Sequence, residues 1–320
     1  MPTQPNSPIG QQQRDKKRFC AAVRFKSEES PTSFAPGRGI LCGAALALLL
    51  SLPASASYAA SPAEERIINR LTNIDLCNGT DRSSPEPQIK GCTALIDSPR
   101  ETTLILTIAH NNRGDAYASK RDYDRAIQDY DLAIKLSPTF AKPFNNRGVA
   151  YQKKGDYDRA IKDFDEAIRL SPDYARAFAN RAETNQRRHD YQSAARDYDN
   201  AIRLDPSLEA VWNGRCWTRA IIGDLQPALA DCNKALLIQP GDAATLDSRG
   251  LIYLKMGQFD SAISDYDEAL RIEPKMASAY YGRGLARLKK GDAAGGNADL
   301  ASAKKLEKTI ADDFSRYGVN

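Results

Sequence analysis

Apolar and polar residues follow helical spacing along most of this chain, and the spacing itself recurs. In residues 157–172 (YDRAIKDFDEAIRLSP), Ala160, Ile161, Phe164, Ala167 and Ile168 form one apolar stripe of an amphipathic helix. Near-copies occupy residues 123–138 and 191–206. Looser copies end at Pro240 and Pro274, so that Pro138, Pro172, Pro206, Pro240 and Pro274 stand 34 residues apart. A fixed period of this size predicts stacked supersecondary units, each packed on its neighbours, in place of one globular core.

With the proline counted as position 32, the units run 107–140, 141–174, 175–208, 209–242 and 243–276, and a degraded sixth, 277–308, lacks the proline. Position 8 is small (Gly114, Gly148, Ala182, Cys216, Gly250, Gly284), position 20 is alanine in all but the sixth unit, and position 27 is alanine throughout. Small residues at these places let two antiparallel helices approach closely. Aromatic groups fill the gaps, with Tyr117, Tyr151 and Tyr253 at position 11 and Tyr130, Phe164, Tyr198 and Tyr266 at position 24. The punctuation agrees with a helix pair per unit. Gly155, Gly223, Gly257 and Gly291 at position 15 suit a left-handed helix end. Asp122, Asp156, Asp190, Asp224 and Asp292 follow as caps of the second helix, and proline then stops it.

With a bulky residue at position 4 (Phe144, Phe178, Trp212, Leu246, Tyr280), the pattern resembles the tetratricopeptide repeat over residues 107–308, close to two-thirds of the chain. The wording also resembles exported bacterial members of that family. The resemblance implies an all-α, right-handed superhelical solenoid of antiparallel helix pairs. Residues 67–106 read as a divergent N-terminal hairpin, with Cys92 where Tyr130 sits, and residues 309–320 as a polar, partly helical tail. Asn185 and Arg219 at position 11 and Cys232 at position 24 depart from the pattern, which leaves the packing of the middle units open.

The resemblance further implies a concave groove lined by first helices, which binds a peptide or a partner protein. On the positions that face it, the candidate binding residues are Asn112, Lys142, Asn145, Asn146, Arg176, Asn180, Asn213, Trp217 and Tyr281. A row of carboxamides, each both donor and acceptor, suits an extended peptide backbone, and the two aromatic residues suit anchoring. The bland alternative is that the asparagines only solvate a helix face. Position 7 is arginine in all six units (Arg113 to Arg283) and position 23 is aspartate in all six (Asp129 to Asp299). These arginines could form an anion-binding ladder, but equal numbers at matched period favour pairing across each hairpin, so they are left out of the site.

Charge and cysteine content add a compartment. Residues 1–56 carry seven Lys or Arg against three Asp or Glu, which accounts for the whole net charge of +4; the remainder balances 38 against 38. The folded part therefore shows no nucleic-acid footprint. Within the leader, basic residues precede an apolar run at 40–52, then Pro53 and Ala54-Ser55-Ala56. This is the form of a secretory signal over 1–56, followed by a linker over 57–66. The run is shorter than the ~20 residues of a membrane span, so no span is expected after cleavage; a retained N-terminal anchor is the alternative. The expected location is periplasmic or secreted. In such an oxidising compartment Cys77, Cys92, Cys216 and Cys232, spaced by 15 and 16 residues, suggest two local disulfides, with four buried thiols as the other reading.

Reactive groups do not converge in the sequence. His110 and His189 sit at unrelated repeat positions, the aspartates cap or pair, and no close Cys or His cluster suggests a metal. The expectation is a non-catalytic scaffold without cofactor or metal, with a self-associating envelope protein as the alternative.

Overall fold

The computed structural model describes residues 61–79 and 84–319, so the leader lies outside it, as do residues 57–60 of the expected linker, whose remainder from Pro62 belongs to the first helix. Among the described residues there are fifteen helices and no strand. They divide into two units, the first ending at Glu101 and the second beginning at Thr102.

The first unit holds α1 (Pro62–Cys77) and α2 (Pro85–Ile96), which form a hairpin. Ser61 and Glu64 cap α1 reciprocally. Helix α2 comes so close that a Cβ on Gly91 would stand 2.5 Å from that of Leu76. A disulfide joins Cys77 to Cys92 with Cα atoms 4.5 Å apart. Arg70 grips Glu101 with two hydrogen bonds of 2.7 and 2.9 Å.

The second unit contains six helix pairs. These are α3 (Thr103–Ser119) with α4 (Tyr123–Leu136), α5 (Ala141–Lys153) with α6 (Tyr157–Leu170), and α7 (Ala175–Arg187) with α8 (Tyr191–Leu204). They continue as α9 (Glu209–Ile222) with α10 (Leu225–Ile238), α11 (Ala243–Lys255) with α12 (Phe259–Ile272), and α13 (Ala277–Lys289) with α14 (Ala293–Leu306). Helix α15 (Ile310–Arg316) closes the chain. Helix α3 starts four residues ahead of the boundary at 107 that the period suggests, because the Thr102 hydroxyl caps it by accepting from the Ile105 amide. Each second helix packs on the first helix of the next pair, and each first helix also touches the next first helix. No second helix reaches the next second helix. The first helices are thus the closer-spaced layer, which makes their outer surface the concave face of the stack.

Position 15 adopts a left-handed backbone in every unit of this stack, with φ from 61° to 90°. Four of these residues are the expected glycines, but Arg121 and His189 hold the same conformation against the clash of their own Cβ. Aspartate side chains cap α4, α6, α8 and α14 as expected, whereas Asp224 makes no such bond to α10. Pro138 and its equivalents sit in the turn after the second helix, and the next first helix begins three residues later.

The core lies where position 8 meets position 24. A Cβ on Gly114, Gly148 or Gly250 would come within 2.6, 2.7 or 2.8 Å of Tyr130, Phe164 or Tyr266 respectively. The same rings press on position 6 of the following unit, where a Cβ on Gly214 or Gly282 would lie 2.6 Å from Tyr198 or 2.2 Å from Tyr266. In the fourth unit both places are cysteine, and Cys216 is bonded to Cys232 with Cα atoms 5.3 Å apart. The departure at Cys232 is therefore a covalent version of the small–aromatic contact. Cys77 and Cys92 also join the two helices of their hairpin, there from the end of the first helix, and each bridge closes a loop worth about 3 kcal/mol in the chain-entropy account.

Two outcomes are expected from this packing. Gly148→Ala forces the Phe164 ring aside and should lower stability by about 1–3 kcal/mol in denaturant unfolding. Arg121→Gly should raise it by about 0.5–1 kcal/mol, since relief of the left-handed strain exceeds the added chain entropy.

Candidate functional site

All six arginines at position 7 cross their hairpin and hold the aspartate at position 23 with paired hydrogen bonds of 2.6 to 2.9 Å. From the second unit onward the remaining Nη1 reaches back to the preceding unit, bonding Asp131, Asp165, Asp199, Asn233 and Asp267 in turn. The pairing across each hairpin is what their matched period suggested, and the reach to the preceding repeat, which the sequence did not suggest, makes the arginines inter-repeat struts. The irregular residues join the same struts. Arg219 bonds Asp231 and Asp199, Asn185 bonds Asp197, and His110 lies 2.9 Å from Asp129. Burial raises the Asp163 carboxyl despite Arg147. At Asp129 the same burial is outweighed by hydrogen bonds from His110 and Arg113, and its pKa falls.

The concave face has two unlike halves. Over the first three units it is polar, and its carboxamides bond to one another. Asn146 donates to Asn111 Oδ1 at 3.1 Å and to Asp115 at 2.8 Å, and Asn180 donates to Asn145 Oδ1 at 2.8 Å. Asn111 also donates to Asn112 at 3.1 Å. Asn145 is buried, whereas Asn112, Asn146 and Asn180 are half-buried. Gln152 and Gln186 likewise reach Thr184 and Thr218 of the following unit, at 3.0 and 2.6 Å. Among the expected groove residues, Lys142 and Arg176 are the exposed ones. Lys142 Nζ stands 3.8 Å from Asp115, whose carboxyl is raised by burial that Lys142, Tyr130 and the two asparagines only partly offset.

Over the last three units the face is aromatic and covered. Trp217 and Tyr281 are there as expected, but the chain's own C-terminus lies on them. Phe314 packs on Tyr281 with centroids 4.7 Å apart and the rings tilted by 50°, and Tyr317 meets Trp217 edge-on at 5.5 Å. Ile310 and Phe314 are 3% and 2% exposed. Residues 309–320, read from sequence as a polar, partly helical tail, do include a helix, but one with a buried apolar side. The signal was present in the spacing of Ile310, Phe314 and Tyr317, at i, i+4 and i+7.

The carboxamide ladder stops in the fourth unit, and its end leaves orphans. Asn213 Oδ1, Asp247 Oδ1 and the Tyr266 hydroxyl are sealed from water without a hydrogen-bond partner. In the earlier units, position 5 accepts from the position-6 asparagine of the next unit. The residues in that place here are Ser248, which bonds Ala244 O, and Gly282, which has no side chain.

The tetratricopeptide repeat family model matches residues 141–174, and a second model of TPR repeats matches 114–155 and 250–291. The matched residues are tetratricopeptide repeats, and the chain resembles bacterial proteins built of them. Solved structures share the array fold at low identity. YrrB, described as a TPR protein with an unusual peptide-binding site, is 21% identical over 60% of this chain and 96% of its own, with a TM-score of 0.50. PilW, described as a type IV pilus biogenesis factor, is 18% identical over 64% and 98%, with a TM-score of 0.57. A tetratricopeptide repeat protein from Parabacteroides merdae is 16% identical over 78% and 99%, also at 0.57. Among curated proteins, none matches the sequence.

Within the tetratricopeptide array, burial pushes the Asp247 carboxyl up to about 7, with Ser278 offsetting only part of the shift. A carboxyl raised from its unfolded value near 3.9 favours the folded state at low pH, and that advantage is lost as pH rises through the folded value. Asp247→Asn should therefore unfold at a higher temperature than the wild type at pH 8, and the gain should vanish at pH 4.

Proposed function

We propose that this protein is an exported, non-catalytic scaffold that binds an extended peptide or a partner protein on the concave face of its first three repeats. The observation that carries this reading is the exposure of Lys142 and Arg176 beside the half-buried carboxamides of Asn112, Asn146 and Asn180. The carboxamides of Asn146 and Asn180 hold neighbouring repeats in register, so the groove presents its polar groups already oriented. A preformed site loses less side-chain entropy on binding. The two cations give the groove a charge preference for acidic segments of a partner. The description of YrrB as carrying a peptide-binding site supports the same use of this fold.

Export rests on the leader over residues 1–56 and is supported by the two disulfides, which persist in oxidising compartments. No helix among the described residues is long and apolar enough to cross a membrane. Exposed Leu132, Leu237, Ile272 and Leu306 stand singly on α4, α10, α12 and α14, the ordinary pattern of a surface.

Peptides selected by display on the immobilised protein provide the test. Their affinity should fall about tenfold or more, about 1.4 kcal/mol, in Lys142→Ala with Arg176→Ala, while thermal unfolding stays unchanged. Equal affinity would remove the groove assignment. Light scattering answers the self-association alternative, which requires a mass that rises with concentration.

A further inference from the structure

Helix α15 is seven residues long, too short to persist in water by itself, and no side chain caps its start. Its order comes from what it lies on. The rings of Phe314 and Tyr317 bridge the gap between Tyr281 and Trp217, and Trp217 continues the row to Tyr191 at 5.6 Å. Lys255 fixes the far end, donating to the Tyr317 carbonyl at 2.8 Å and to the Ala220 carbonyl at 2.7 Å. A terminal capping helix would need contact with the last pair only; this segment reaches back along the concave face to the fourth unit.

We propose that the concave face of repeats four to six is a receptor for a short amphipathic helix. Residues 310–319 fill it in cis. A partner helix with an aliphatic and two aromatic residues at i, i+4 and i+7 takes it in trans. The chemistry follows from the resident segment: Ile310, Phe314 and Tyr317 supply the three anchors, and Lys255 receives the carbonyl at the helix end, where the backbone dipole is negative. Exchange is favoured by construction. The segment joins the last helix pair through Glu307, Lys308 and Thr309, and it lies outside the six helix pairs that build the stack. The proposal deepens the concave-face reading, and it is independent of Lys142 and Arg176.

The probe is a fluorescent synthetic peptide of residues 307–320, titrated into the full chain. The wild type, whose site is filled, should bind it at least about tenfold more weakly than Phe314→Ala with Tyr317→Ala, where the cis segment is weakened; that factor is the tether's effective-concentration advantage. Adding Trp217→Ala and Lys255→Met should abolish binding, whereas Lys142→Ala with Arg176→Ala should leave it unchanged. Equal binding by the wild type and the weakened variant overturns the proposal, as does binding that survives the loss of Trp217 and Lys255. If Lys142 and Arg176 prove necessary for the probe, the peptide sits in the polar half and this site assignment fails. Hydrogen exchange on the unmodified chain gives a readout that needs no variant. The amides of residues 314–319 should exchange well ahead of those in α13, and exchange only with global unfolding would equally overturn the proposal.

Discussion

The contact between position 8 and position 24 of each repeat is the constraint on which the rest of this structure depends. It decides how close two helices of a pair approach, and every other contact is built at that spacing. Gly148 under Phe164 and Gly250 under Tyr266 show the contact in its ordinary form, with no room for a methyl group between ring and backbone. Where the ring is missing, at Cys232, a disulfide to Cys216 spans the same two places. Two chemically unrelated solutions at one site indicate that the separation is what must be kept. Because the rings of Tyr198 and Tyr266 also press on Gly214 and Gly282 of the following pair, one side chain sets spacing both within a pair and between pairs.

Polar groups then set register. The arginine struts link position 7 to its own hairpin and to the repeat before it, and the carboxamides of Asn145, Asn146 and Asn180 link first helices along the concave face. Half-buried ion pairs of this kind add little net stability, because desolvation offsets most of the attraction. Their value is directional: a bidentate arginine accepts one alignment of its neighbours and penalises the others. The orphaned oxygens of Asn213 and Asp247 mark where the ladder has lost its donors, and there the concave face turns from polar to aromatic.

That division gives the proposed binding role two surfaces. A polar half with two exposed cations and an aromatic half covered by the chain's own terminal helix are different chemical surfaces on one scaffold, and they suit different ligands. The second helices, which carry the most regular sequence, supply the outer layer and the aspartates that the struts hold. The first helices, where residues vary from unit to unit, form the face that meets solvent or a partner.

The 34-residue period, the small and aromatic positions, the four left-handed glycines at position 15 and the matched arginines and aspartates were legible in the sequence, because each is a local requirement repeated at a fixed interval, whereas the same backbone at Arg121 and His189 was not. Repetition made the cross-hairpin ion pairs legible too, since a pair that recurs in step must be met within each unit. The pairing of Cys216 with Cys232 could be anticipated from spacing alone, but its equivalence to a glycine–ring contact could not. Tertiary structure decided which of the expected groove residues are exposed. Asn145 and Gln152 share the positional pattern of a binding face yet are buried or bonded to the next repeat, while Lys142 and Arg176 stay exposed. It also decided that Trp217 and Tyr281 are covered, by rings about a hundred and about thirty residues away in the chain. Periodicity describes what a unit does to itself and to its neighbour; it carries no information about a segment that leaves the repeat and returns across three units.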